Sequence, residues 1–152
     1  MGLFLWYRRS WVTCDKAYVD GSYDPHSKKG GLGVYILNTS TNKVIHKEFK
    51  DLDSETIRIK SKSPLSSELN AVLRAMEIAK GYKLNSINIV YDCNTIVDAL
   101  MRNKVKNEEM YQFRNAMKKY LKNIYVTFTH AAWYNHDIHN NAHRLSRQYL
   151  VS

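Results

Sequence analysis

Cysteine and proline are nearly missing from this chain, at two residues each in 152. Cys14 and Cys93 are too few for a disulfide framework and lack the paired spacing of a metal site. They read as reduced thiols of an intracellular protein. No apolar run approaches the length of a membrane span, so no membrane partner is expected. The opening residues, Met1 to Arg9, are apolar first and basic second, the reverse of a signal peptide. Trp6 stands where N-myristoylation needs Ser or Thr. Internal repeats and low-complexity stretches are also missing. Acid is scarce: 14 Asp plus Glu against 23 Lys plus Arg leaves a net charge of +9. That balance favours a polyanionic partner, nucleic acid before anionic membrane. Apolar residues, at 44%, suffice for one packed domain.

The periodicities divide the chain into an arm, residues 1–15, and a single domain, residues 16–152. Lys16 to Asp20 reads as a strand, Gly21 to Gly30 as a loop, and Leu32 to Leu37 as a second strand. Val44 to Phe49 returns as a third, completing an antiparallel meander. Thr56 to Ile59 alternates and either extends that strand or loops past it. Ser63-Pro64 is a helix start, an N-cap followed by proline at the first helical position. Leu69, Val72, Leu73, Met76 and Ala79 keep helical spacing up to Gly81. Ile87 to Tyr91 reads as a buried strand, and Ile96 to Met101 as a short helix. A further helix starts at Asn107, with its acids early and Lys118, Lys119 and Lys122 late, as the helix dipole favours. Tyr125 to Thr129 is a last strand and Asp137 to Leu150 a terminal helix. The result is an α/β fold, a five-stranded mixed sheet with helices on its faces.

Three carboxylates stand out within this frame. Asp20 lies on the first strand, Glu68 opens the first long helix on its sheet-facing side, and Asp92 ends an apolar strand. Gathered acids repel one another unless a cation neutralises them. On a basic protein that combination points to divalent-metal phosphodiester chemistry. Read singly, Asp92 is as well suited to capping a following helix.

The acids and the element order together resemble the type I ribonuclease H family. Its opening acid-Gly-Ser motif is matched by Asp20-Gly21-Ser22, followed by the glycine-rich Gly30-Gly31-Leu32-Gly33. Its Glu-Leu-x-Ala is matched by Glu68-Leu69-Asn70-Ala71, and its third acid by Asp92-Cys93. The terminal helix carries Ala142-His143-Arg144-Leu145-Ser146, with His143 where the family's fourth Asp is expected. That ending resembles the reverse-transcriptase-like branch. The stretch from Asp92 to Val126 is too short for the basic protrusion of some members.

The resemblance implies hydrolysis of the RNA strand of an RNA–DNA hybrid, assisted by two divalent ions, Mg²⁺ or Mn²⁺, about 4 Å apart. It implies Asp20 as bridging ligand, Glu68 and Asp92 on the leaving-group side and His143 on the water-activating side. A histidine before the terminal helix, His136 or His130, would assist product release. Expected contacts to the 2′-hydroxyl are Gly21, Ser22, Ser66, Ser67 and Asn94. Expected phosphate contacts include Lys28, Lys29, Lys104, Lys106, Lys118 and Lys119. His136, His139 and His143 share one helical face, which also resembles a zinc arrangement. Two other functions stay open: a hybrid- or double-stranded-RNA-binding module weakened in catalysis by His143, and a DNA-cutting relative of resolvase or transposase type. No obligate protein partner is implied.

Overall fold

The structure is a computed structural model that describes residues 15–92, 107–130 and 142–147. Three long strands come first: β1 (Asp15–Asp24), β2 (Lys29–Asn38) and β3 (Lys43–Asp51). They are followed by α1 (Pro64–Gly81), β4 (Ser86–Tyr91), α2 (Glu108–Leu121) and β5 (Tyr125–His130). Residues 142–146 form a further helical stretch. The sheet order is β3-β2-β1-β4-β5. β1, β2 and β3 pair antiparallel, whereas β4 lies parallel to both β1 and β5. The expected mixed sheet of five strands is therefore present.

The segment Gly21 to Gly30 corrects the sequence reading. It is not a loop: Gly21 pairs with Leu32, Ser22 with Gly31 and Tyr23 with Gly30. Only residues 25–28 turn. Asp24 closes this turn, its carboxylate accepting from the His26 backbone N–H (3.0 Å) and the Ser27 hydroxyl (2.8 Å). Glycine and serine look like loop residues in sequence, but here the glycines serve close packing within a ladder.

Thr56 to Ile59 is not a strand either. Ile57 and Ile59 are buried, and the backbone of Ile59 is held by a side chain. Asn70 on α1 accepts from the Ile59 N–H and donates to its carbonyl, each at 3.0 Å. This completes the pairing that a neighbouring strand would otherwise supply.

α1 and α2 cover one sheet face. Leu69, Val72, Leu73 and Met76 of α1 meet Phe113 and Met117 of α2 over Val19, Leu32, Val34 and Ile89. Alternation along β1 sends Tyr18 to the other face, where it joins Leu37, Val90 and Ala142 in a second, smaller core. The helical stretch 142–146 thus lies across the face opposite α1. Its seat is glycine: a Cβ at Gly33 would stand 2.3 Å from the Ala142 carbonyl oxygen and 2.7 Å from Ser146 N.

Candidate active site

Strand register assembles the site first. β1 pairs with β4 as far as Tyr18 and Val90, so Asp20 and Asp92 each lie two residues beyond that pair, at the same end of the sheet. The N-terminus of α1 then closes on β1 at Gly21. A Cβ there would meet Ser67 C at 2.3 Å and Glu68 N at 2.5 Å, so only glycine allows this approach. The close approach is what carries Glu68 to Asp20. From the other face the 142–146 stretch brings His143, whose Nδ1 lies 2.5 Å from Asp20 Oδ2. All four residues singled out in the sequence therefore converge from four elements.

The electrostatics follow from burial. Asp20 is buried, at 4% exposure. Glu68 sits beside it with Oε2 buried and without a hydrogen-bond partner. Its pKa is pushed up to about 9, first by burial, then by the Asp20 charge and a hydrogen bond shared with that side chain. The Gly21 backbone N–H opposes the shift, and the Asp92 charge adds to it. Asp92 is open to solvent at 60% side-chain exposure, with His130 Nε2 at 4.0 Å. The His130 ring meets Tyr91 edge-on, centroids 5.5 Å apart.

An orphaned, buried carboxylate oxygen among like charges is the environment a cation relieves. The donors are hard oxygens with one imidazole, which suits Mg²⁺ or Mn²⁺. Asp20, Glu68 and Asp92 thus fit a divalent ion, with His143 adjoining. Among the described residues, however, no three such side chains are drawn together as a ready-made metal cage.

The other expected site residues divide. Gly21 and Ser22 lie on β1 beside Asp20. Lys28 and Lys29 are exposed at the β1–β2 turn, Lys28 with φ of 58°. Ser66 and Ser67 correct the reading: both are wholly buried. Ser66 forms a capping box with Ser63, and the Ser67 hydroxyl donates to the Pro64 carbonyl at 2.6 Å. Their hydroxyls are engaged within the first turn of α1.

Lys118 and Lys119 are exposed in the last turn of α2. Glu109, in the first turn of α2, accepts from the hydroxyl of Ser63, the N-cap of α1 (2.8 Å). The two helices therefore start at the same end of the sheet, near the acids. The lysines lie about 15 Å along α2 from Glu109, at the end away from Asp20. Asn94, Lys104, Lys106, His136 and His139 lie outside the described residues, as do Cys93, the short helix after it and residues 1–14 of the N-terminal arm, whose last residue, Asp15, belongs to β1.

Ser146 was not singled out in the sequence. Its hydroxyl donates to the His143 carbonyl (2.7 Å) and lies 3.4 Å from Asp20 Oδ2. Its spacing of three from His143 on a helix is the signal that would have found it.

The reverse transcriptase-like family model matches residues 18–135, most of the chain. The chain belongs to the reverse transcriptase-like family. The matched span holds Asp20, Glu68 and Asp92 and ends before His143. Curated protein sequences give no match. Among solved structures, RNase H1 from the halophilic archaeon Halobacterium salinarum superposes with a TM-score of 0.73 at 14% identity, over 90% of this chain and 96% of that one. LC11-RNase H1, solved in complex with an RNA/DNA hybrid, gives 0.72 at 18%, over 91% and 100%. The N-terminal RNase H domain of a Mycobacterium tuberculosis protein gives 0.71 at 12%, over 88% and 96%. The fold of this family member is thus the RNase H fold.

Proposed function

We propose that this chain is a metal-dependent endonuclease that cuts the RNA strand of RNA–DNA hybrids without marked sequence preference. The observation that carries the reading is Glu68: a buried carboxyl with an orphaned oxygen, held against Asp20 and within the field of Asp92. The structural similarity to an RNase H1 crystallised on an RNA/DNA hybrid supports the substrate class.

Asp20, central and buried, would hold the metal together with Glu68 and Asp92. Bound divalent ions supply an activated water and neutralise the charge that develops on the scissile phosphate. The Gly21 N–H holds the Glu68 carboxyl in place. His143 stands on the water side, its ring fixed by Asp20. Ser146 fixes the turn that carries it. His130, which lies beside Asp92, or His136 would assist product release. Gly21 and Ser22 would contact the 2′-hydroxyl, and Lys28 and Lys29 would contact phosphates. Hybrid is the partner, with no obligate protein partner, in an intracellular compartment. Among the described residues no helix is long and apolar enough to cross a membrane.

One observation favours a second reading. His143 Nδ1 already engages one of the two Asp20 carboxylate oxygens, Oδ2. A hybrid-binding module with weakened catalysis would keep this contact. Incubation with end-labelled hybrid, double-stranded RNA and double-stranded DNA, each with Mg²⁺ or Mn²⁺, separates the two. Cleavage confined to the RNA strand of the hybrid supports the enzyme. Tight binding without cleavage in either metal supports the module.

A further inference from the structure

The end of the sheet away from the acids is rich in lysine. Asp20, Glu68 and Asp92 lie at one end. At the other, α1 finishes with Lys80 and α2 with Lys118 and Lys119, followed by Lys83 and Lys122 in the turns that leave the helices. The Tyr125 N–H donates to the Asn85 carbonyl at 2.8 Å, which joins these two turns. All five lysines are exposed, and among the described residues none has an ion-pair partner. Tyr125 is 42% exposed beside them.

One cation per helix end would satisfy the helix dipole. Here the cations exceed that need. Lys83 moreover takes φ of 58°, a left-handed position after a helix that glycine ordinarily fills. A lysine kept there against its backbone preference adds charge to the same end.

The geometry points to a second nucleic-acid-binding surface at this basic end, separate from the acid cluster, that holds the sugar-phosphate backbone of a single strand. Tyr125, 42% exposed, adds an aromatic side chain of the kind that stacks on bases. Charge complementarity selects the occupant: five unpaired ammonium groups match a polyanion. In an enzyme of the proposed kind the surface would retain strand outside the cut segment. It does not require that the acid cluster be active.

The test uses the full chain in chelator, so that cleavage plays no part. A fluorescein-labelled 30-nucleotide single strand is titrated by anisotropy at several salt concentrations. The protein is compared with a variant carrying Lys80→Ala, Lys83→Ala, Lys118→Ala, Lys119→Ala and Lys122→Ala, and with the matching five Lys→Arg changes. The alanine variant should bind at least about tenfold more weakly. Its plot of log affinity against log salt should be shallower by about 3, and the arginine variant should match the parent. Thermal melts that coincide show that folding is intact. Unchanged affinity and slope in the alanine variant overturn the inference, as does preferential binding of anionic vesicles over the strand. A chain that cuts no hybrid yet shows this lysine-dependent binding refutes the proposed function and leaves the basic surface standing.

Discussion

The imidazole of His143 and the carboxylate of Asp20 share a hydrogen bond, Nδ1 to Oδ2 at 2.5 Å, across 123 residues of sequence. Asp20 is buried, while the His143 side chain is 45% exposed. The contact ties the terminal helical stretch to the central strand at the point where chemistry is expected.

This contact predicts a metal preference. With imidazole in place of a fourth carboxylate, the water side lacks one anionic ligand and is softer. Mn²⁺ should support cleavage better than Mg²⁺. His143→Asp should restore Mg²⁺ use, and His143→Ala should weaken cleavage in both metals. Initial rates on labelled hybrid check this. Full Mg²⁺ activity in the parent, unchanged in His143→Ala, would make His143 a bystander.

Glu68 sets the pH dependence of the metal-free chain. Its folded pKa, about 9, lies above the ordinary carboxylate range, so between the two the folded state holds a proton that the unfolded state has lost. Stability therefore falls as pH rises through that window. Glu68→Gln removes this cost. At pH 7 it should raise the melting temperature by a few degrees, equivalent to about 1 kcal/mol or more, and the gap should widen towards pH 9. Saturating Mg²⁺ or Mn²⁺ should stabilise the parent and release a proton on binding, read by calorimetry in buffers of different ionisation enthalpy.

Glu48 behaves oppositely. Arg74 grips it with two hydrogen bonds, 2.5 and 2.7 Å, which tie β3 to α1. The Arg74 hydrogen bond holds the Glu48 carboxyl below its usual range. Its contribution is present above the usual carboxylate range and lost as pH falls through the lowered value. Arg74→Ala should cost about 1–3 kcal/mol at neutral pH and much less in strong acid, measured by urea melts.

Much of the site is legible in sequence because its residues break the local pattern. Asp20 interrupts an apolar strand, Glu68 sits on the buried side of its helix, and Asp92 ends a buried run. Capping by Ser63 and Asn107 also follows from residue type and spacing. What escaped depends on contacts distant in sequence. Gly21 reads as a loop residue and Gly33 as an ordinary strand position until helices are seen pressed on both. Asn70 looked like an ordinary motif position, and nothing local shows that it clamps Ile59. Ser66 and Ser67 looked available, but only the fold shows that they are spent on the cap. The placement of Lys118 and Lys119 needed the parallel packing of α1 and α2.

The clamp is directly testable. Asn70→Leu keeps the volume but leaves the buried N–H and C=O of Ile59 unpaired. It should cost about 2–4 kcal/mol and expose the 52–62 segment to limited proteolysis. Wild-type stability and protection would show the segment is held by Ile57 and Ile59 packing alone.

The central claim is that Asp20 anchors metal-dependent hydrolysis of hybrid. Asp20→Asn keeps the shape and removes the charge. The most direct measurement compares the two proteins on one labelled RNA–DNA hybrid, scoring cleavage with Mn²⁺ and binding in chelator. The account predicts RNA-strand cleavage by the parent, a loss of at least about a thousandfold in Asp20→Asn, and similar hybrid affinity in both. Undiminished cleavage by a clean preparation of Asp20→Asn would contradict it.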